Sequence, residues 1–352
     1  MGLISYKIIF QGSIVSVWCL PCFSIWRNIL MSTLNIDFFV CGIRISQPYK
    51  GALFSFDENI NINNRLDCLR FQYQVLVKPN TTLSKQDYIN MILSEEIDLF
   101  MQSLSLLLKL PSKLIIYEAK LDGITVKYRP PPQSLPFGLY NLAAKWHQVP
   151  HVYTLSVHND TWPFLEHMVK ELRQKPITDR KQLVLPLHWF AKASNEMTSF
   201  DRLIAFWISF NALYLDPKLR NEKEAIKKCI KNNVDRKIAQ RYVEKNEPLL
   251  KKLSTFSIQL RPKSKIAQEL ANLLNSNARN YISIFETTTL TIYGIRNNLF
   301  HGEYNLSSRN DFDQIDLAEN LLSQLVRELI GKKILGYELP PINFVVTEET
   351  GI

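Results

Sequence analysis

The chain has 352 residues, a hydrophobic fraction of 46% and a formal net charge of +9 at pH 7. This length accommodates two domains with substantial cores. Five cysteines without regular spacing argue against a secreted disulfide framework and favour a reducing, cytoplasmic setting. The sequence contains no P-loop, no G-x-G-x-x-G and no HExxH, and it predicts neither a metal nor a cofactor.

Residues 8–26 carry no charged side chain. We interpret residues 1–31 as an apolar leader that is foreign to the native chain or disordered. The alternatives are a membrane anchor, since a run of this length can span a bilayer, a buried strand or helix, and redox chemistry at Cys19 and Cys22. Pro21 disfavours the membrane helix.

Residues 32–130 predict an α+β domain. Residues 70–77 alternate between apolar and polar, as a half-buried strand does. Ser84 to Asp87 match a capping box that opens a helix ending near Lys109. Its apolar face is predicted to contain Ile89, Ile92, Leu93, Ile97, Phe100, Met101 and Leu104. Two further strands are predicted at 113–117 and 124–128.

Glu118-Ala119-Lys120 is similar to the E-x-K half of a metal-dependent nuclease motif. No convincing Pro-Asp precedes it, and a lone E-x-K is common by chance. We therefore interpret this tripeptide as a solvated strand end.

Residues 131–194 are interpreted as a linker and connecting region. Three consecutive prolines, Pro130 to Pro132, lie at its start and favour an extended chain. A helix is predicted from about 162 to 174, and a short strand from Leu183 to Leu187.

From residue 195 to residue 335 the pattern predicts an all-helical domain, with 336–352 as a tail. Thr198 to Asp201 match a second capping box, and the following residues are apolar almost all round, which is typical of a buried central helix. Asn211 within that helix is either a satisfied core amide or a pocket residue. The last helix is predicted to end at Gly331.

Residues 218–265 contain 15 Lys or Arg against 5 Asp or Glu, so they carry the basic excess of the chain. Two short helices are predicted between Lys218 and Arg241. The candidate RNA contacts are Lys227, Lys228, Lys231 and Arg236. The alternative is an ordinary solvated face.

The segment from Tyr293 to Gly302 places Arg296, Asn297 and His301 at the end of a predicted helix. Gly302 follows where a helix C-terminus favours positive φ. Histidine can transfer a proton near neutral pH, and the planar guanidinium of arginine matches two phosphate oxygens. These residue types suit attack of a ribose 2′-OH on the neighbouring phosphate. An exposed basic helix end is the alternative interpretation.

Arg296-Asn297-Asn298-Leu299-Phe300-His301 resembles the R-x4–6-H signature of HEPN domains. The earlier segment from Asp201 to Tyr214 resembles the first core helix of the Apea-like HEPN group. The resemblance covers about residues 195–335. It implies an all-α HEPN-like helical bundle for that part of the chain and says nothing about the first half. Together with the pattern of residues 32–130, the expected fold is an N-terminal α+β domain followed by this bundle.

The resemblance further implies a metal-independent endoribonuclease, acting in phage defence or as a toxin. In that scheme His301 is the general base or acid, Arg296 stabilises the phosphate, and Asn297 orients one of them. A polar residue on an earlier helix, Asp201 or Asn211, would complete the site. The alternative is a non-catalytic HEPN module that binds RNA, a nucleotide or a protein partner.

The expected partners are RNA, a second copy of the chain, and an antitoxin or a phage component, with no firm membrane partner. Arg296 and His301 point about 140° apart on one helix, from five residues at about 100° each. We therefore expect one cleft shared across a two-fold dimer.

Overall fold

The computed structural model describes these residues: 4–10, 13–19, 32–41, 43–45, 47–57, 59–62, 66–77, 82–108, 113–127, 154–157, 160–175, 177–196, 198–214, 221–260, 264–304, 308–336, 339 and 344–347. The remainder of the predicted leader and the first part of the predicted linker, residues 131–153, lie outside these ranges.

The strands are β1 Ile4–Phe10, β2 Ser13–Cys19, β3 Ser32–Cys41, β4 Ile43–Ile45, β5 Tyr49–Lys50, β6 Phe54–Phe56, β7 Asn59–Ile62, β8 Leu66–Val77, β9 Lys113–Leu121, β10 Ile124–Lys127, β11 Thr154–Val157, β12 Gln259–Leu260, β13 Ser264–Lys265 and β14 Phe344–Thr347. The helices are α1 Lys85–Leu108, α2 Thr161–Gln174, α3 Ile177–Asn195, α4 Ser199–Tyr214, α5 Glu222–Asn233, α6 Arg236–Ser254, α7 Ile266–Leu274, α8 Tyr281–Phe300 and α9 Arg309–Leu335. An α+β region therefore precedes a helical region, as predicted.

The main sheet is antiparallel, with strand order β10-β9-β3-β8-β6-β5, and β7 also pairs with β8. The alternation predicted for residues 70–77 is confirmed, because Phe71, Tyr73, Val75 and Val77 are buried while the residues between them are exposed. Helix α1 covers the apolar face, and the Phe100 ring packs edge-on against Phe38 and Phe71 at 5.3 and 5.2 Å. All seven apolar positions predicted for this helix are buried.

Helix α2 is attached to the β5–β6 hairpin through the buried carboxylate of Glu166. Its oxygens accept hydrogen bonds from the Tyr49 hydroxyl at 2.6 Å and from the backbone N–H of Ala52 at 2.9 Å. Gly51 allows this approach, because a Cβ there would lie 1.8 Å from Glu166 Oε2.

Helix α4 is the centre of the helical region. Phe206 packs edge-on against Phe190 of α3 at 4.9 Å, and Ser199 donates a hydrogen bond to Asp316 of α9 at 2.8 Å. Both predicted capping boxes are confirmed, since Ser84 Oγ and Thr198 Oγ1 accept from the backbone N–H of Asp87 and Asp201 at 3.1 and 3.0 Å.

Two local predictions were wrong. Leu183–Leu187 lies within helix α3 rather than in a strand. The last helix continues to Leu335, and Gly336 at φ 71° ends it instead of Gly331. Gly331 serves packing, because a Cβ there would lie 2.3 Å from the Leu339 side chain.

The end of the chain returns to the α+β region. β14 pairs antiparallel with β11, and β11 pairs in parallel with β4. Among the described residues, none of the helices combines the length and apolar character that a membrane span requires.

Candidate active site

Helix α8 ends as the sequence predicted, with His301 as its last cap. The backbone N–H of Gly302 donates to Leu299 O at 3.2 Å, and that of Glu303 donates to Asn298 O at 2.9 Å. These two bonds and the φ of 70° at Gly302 form the Schellman motif, in which the residue after the cap is left-handed. The His301 side chain is exposed at this end.

The Arg296 guanidinium is held beside the helix but is incompletely bonded. Nη1 donates to Asn297 Oδ1 at 2.8 Å and lies 3.6 Å from Glu222 Oε2. The guanidinium carbon lies 5.6 Å from the Trp207 ring centroid and 4.7 Å from that of Phe300. The Nε atom is buried and has no hydrogen-bond partner in the part of the chain that the structure describes. The Arg296 side chain is therefore held in place, while its Nε–H donor has no acceptor in the described structure.

Helix α4 and the start of α5 supply the groups around this arginine. Tyr214 donates to Glu222 Oε1 at 2.7 Å and also contacts the Asn211 amide. Burial raises the pKa of Tyr214 well above its usual range, and the hydrogen bond from its hydroxyl to Glu222 raises it further. The neutral phenol therefore remains a donor that orients Glu222 towards Arg296.

Of the two earlier-helix candidates, the structure brings Asn211 and not Asp201 to this network. Asp201 caps the start of α4, where its carboxylate accepts from Thr198 at 2.7 Å. It lies about 15 Å along the helix from Asn211, at about 1.5 Å per residue.

The sequence interpretation missed Glu222, and it named Trp207 and Tyr214 only as parts of a helix. Glu222 occupies the first turn of α5, directly after the N-cap Asn221, which is an ordinary place for an acidic residue. Its contact with Arg296 depends on the packing of α5 against α8, so no local signal could have identified it.

The predicted lysine contacts share one face of α5. Lys227, Lys228 and Lys231 are exposed, whereas Ile226 and Ile230 are buried. We call these three lysines the lysine face.

The lysine face runs beside helix α8. Lys227 pairs with Glu286 at 3.2 Å, while Glu222 faces Arg296, so α5 and α8 run antiparallel. Arg236 is exposed at the first residue of α6, on the next helix.

Much of the remaining basic excess is neutralised within the protein. Lys252 lies 4.0 Å from Asp313 of α9, a carboxylate outside this segment. Arg241 pairs with Glu328. The net charge of residues 218–265 therefore overstates the free positive surface.

The Glu118-Ala119-Lys120 tripeptide lies opposite Asp37 in the sheet. In the strand register, Asp37 on β3 lies directly across from Glu118 on β9, and the register shifts at the next position. These residues line a polar pocket of about 270 Å³. Each carboxylate has a basic partner, because Arg70 pairs with Asp37 and Lys120 with Glu118. The sequence did not indicate this non-local pair of carboxylates.

Within the described residues, no three or more His, Cys, Asp or Glu side chains are grouped so as to hold a metal ion. Comparison of the chain with models of known protein families, with curated proteins and with solved structures found no match.

Proposed function

We propose that this protein is a metal-independent endoribonuclease of the HEPN type, with its active site at the end of α8. The observation that carries the proposal is the incompletely bonded Arg296 guanidinium next to an exposed His301. Buried polar groups are normally paired, so a spare donor on a cation favours an anionic ligand. The Arg296 guanidinium carbon lies 4.7 Å from the ring centroid of Phe300, the residue directly before His301.

The chemistry assigned to these residues is transfer of the phosphodiester to the ribose 2′-oxygen. His301 removes the 2′-OH proton, and the resulting oxygen attacks the adjacent phosphorus. The bond to the 5′-oxygen breaks, giving a 2′,3′-cyclic phosphate and a 5′-OH after proton return. Arg296 stabilises the charge on the phosphate oxygens, and Asn297 positions Arg296 by accepting its hydrogen bond.

A two-fold dimer would bring the two motifs into one cleft. Arg296 and His301 leave the helix about 140° apart, at about 100° per residue, so groups from two protomers complement each other. Phe300, which is 56% exposed beside them, gives this surface an apolar contact. Roles in phage defence or as a toxin, with RNA as substrate and an antitoxin or phage component as controlling partner, belong to the same proposal.

The test is to incubate the purified protein with mixed RNAs in excess chelator and analyse the ends of the products. Cleavage with 2′,3′-cyclic phosphate ends is expected, and His301→Ala should abolish it while His188→Ala, at an exposed histidine of α3, should not. Cleavage that is lost in chelator and restored by Mg²⁺ would refute this assignment and direct attention to Asp37 and Glu118.

The second candidate is a non-catalytic HEPN module that binds RNA, a nucleotide or a protein partner. The ion pair between Arg296 and Glu222 favours it, because a carboxylate at 3.6 Å competes with a phosphate for the guanidinium. RNA binding without cleavage, weakened by Arg296→Ala and indifferent to His301→Ala, would support this module over the enzyme.

A further inference from the structure

A pocket of about 440 Å³ lies between α1 of the α+β region and α3 of the helical region. This volume is in the range of small-molecule sites, which is about 300–1,000 Å³. Its described lining consists of Ser94, Glu95, Glu96, Asp98, Leu99, Gln102, Val184, Leu185 and His188. The pocket is remote in sequence from the proposed RNA site and independent of that proposal.

One side chain in this lining is buried and unsatisfied. Gln102 is 8% exposed, and its Oε1 has no hydrogen-bond partner in the described structure. Such an atom is costly unless a ligand or water supplies a donor. Since Gln102 lines the pocket, the missing donor is expected from an occupant.

The charged groups around the pocket favour a cationic occupant. Among the described residues Asp98 has no ion-pair or hydrogen-bond partner, and partial burial raises its pKa to about 6. Glu95 is exposed, and Glu96 is already bound to Arg173 of α2 at 2.7 Å.

On the α3 side, the described lining includes one ionisable group, His188. Partial burial and the nearby Lys192 lower the pKa of this largely exposed imidazole, which favours its neutral form at neutral pH. Lys192 itself lies 4.5 Å over the Trp189 ring. The described lining therefore contains acidic groups and no lysine or arginine.

The apolar part of the lining limits the ligand further. Leu99 is buried, and Leu185 is 52% exposed at the rim, where its side chain is available to contact a ligand. These side chains suit a short hydrocarbon stem. An ammonium or guanidinium at the end of that stem would reach Asp98 and Gln102.

We infer that the α1–α3 pocket binds a small organic cation, namely an alkylammonium or alkylguanidinium whose charged head pairs with Asp98 and donates to Gln102, and whose stem contacts Leu99 and Leu185. The ligand supplies the donor that Gln102 lacks and the positive charge that Asp98 lacks. Neither group finds these within the described structure.

The experiment titrates the full chain with n-butylammonium and n-butylguanidinium at constant ionic strength, using calorimetry and the shift in melting temperature. Sodium butyrate and n-butanol test the charge and the stem separately. At pH 7.5 both cations should bind, with Kd on the order of millimolar for ligands this small. Butyrate should not bind, and butanol should bind at least tenfold more weakly.

Substitutions locate the site. Asp98→Asn should weaken cation binding at least tenfold, and Gln102→Leu should weaken it severalfold. Glu171→Gln on α2, outside the described lining, should leave binding unchanged. The melting temperature of each free variant establishes that it is folded. Asp98→Asn should melt slightly higher than wild type, because it removes a partly buried carboxylate that has no partner among the described residues.

The pH dependence adds a readout that a merely structural role would not change. Lowering the pH from 7.5 to 5 protonates Asp98 and should weaken binding to wild type about tenfold. The facing groups Glu95 and His188 also gain protons, so His188→Gln separates that contribution. Equal affinity for butanol and butylammonium, or unchanged affinity in folded Asp98→Asn, would overturn the inference.

Discussion

Two polar clusters differ in how completely their groups are bonded. Glu166 is 5% exposed and receives hydrogen bonds from Tyr49, Ala52 and Leu53, while Lys170 lies 2.6 Å from it. Burial would raise its pKa, but the hydrogen bonds from Lys170, Tyr49 and Ala52 outweigh burial and lower it. The hydrogen-bonding capacity of this carboxylate is therefore satisfied.

The Arg296 cluster is the opposite case. The guanidinium donates one hydrogen bond, to Asn297, and makes a longer contact with Glu222. Its buried Nε and the buried Nε1 of Trp207 have no hydrogen-bond partner among the described residues. A network whose polar groups are all hydrogen-bonded stabilises the fold. A network with unpaired donors still has donors that can bind a ligand. The comparison therefore predicts that substitutions in the first cluster affect stability and those in the second affect activity.

The largest effect is expected from Arg296→Ala, which should reduce RNA cleavage by about 10²–10³-fold, the usual cost of losing a donor to a developing oxyanion. The melting temperature should change little. Arg309→Ala, at the exposed start of α9, is the matched control.

Mixing Arg296→Ala with His301→Ala extends this test, because a shared cleft contains one intact set of groups in the mixed dimer. The mixture should recover activity that neither variant has alone. An Arg296→Ala protein that cleaves RNA normally but has a clearly lower melting temperature would contradict the comparison, because Arg296 would then serve stability rather than activity.

The second effect is on stability. Glu166→Gln should lower the free energy of unfolding by about 1–3 kcal/mol, the usual cost of unsatisfied buried donors. Because the folded pKa of Glu166 is depressed, its contribution is present above its unfolded pKa of about 4.3 and is lost as the pH falls through the folded value. Denaturant unfolding at pH 7 and pH 3 should therefore show a difference between wild type and variant that narrows in acid.

A suitable control for that measurement is Glu171→Gln, on the same helix and more exposed. If this control were as destabilising as Glu166→Gln, the hydrogen bonds to Glu166 would not be the cause. Cleavage by folded Glu166→Gln should equal that of wild type.

The smallest effect compares two exposed lysines. Lys231 has no ion-pair partner in the described structure, whereas Lys251 lies 2.9 Å from Glu247. A free lysine that contacts phosphate releases a counterion, so Lys231→Gln should reduce the salt slope of RNA binding by about one. Lys251→Gln should leave the slope nearly unchanged. Identical slopes for both variants and wild type would make the lysine face an ordinary solvated surface.

Local signals predicted much of the fold. The periodicity of α1, both capping boxes and the glycine after His301 depend on neighbours within a few residues, and the structure confirms them. The run around Pro186 misled the strand prediction, because a short apolar segment fits a strand or a buried helix equally well. Its burial follows a helix, with Leu183, Leu187 and Phe190 inside.

In the candidate site, too, the sequence predicted the local arrangement but not the contacts between distant segments. Arg296, Asn297 and His301 lie within six consecutive residues of one helix end, so their proximity could be predicted from the sequence. Glu222 reaches Arg296 through the packing of two helices, and Asp37 meets Glu118 through strand pairing. Neither contact has a local signature, which is why the sequence interpretation did not include them.

The small sheet of β4, β11 and β14 has a consequence for synthesis. Its strands come from residues 43–45, 154–157 and 344–347, so it can be completed only after almost the whole chain has left the ribosome. At about 5–20 residues per second, β11 waits roughly 10–40 s for β14, its last neighbour. During that interval β11 presents an edge without its β14 neighbour, and such edges invite pairing with other chains. Any C-terminal truncation before Phe344 would make this transient state permanent.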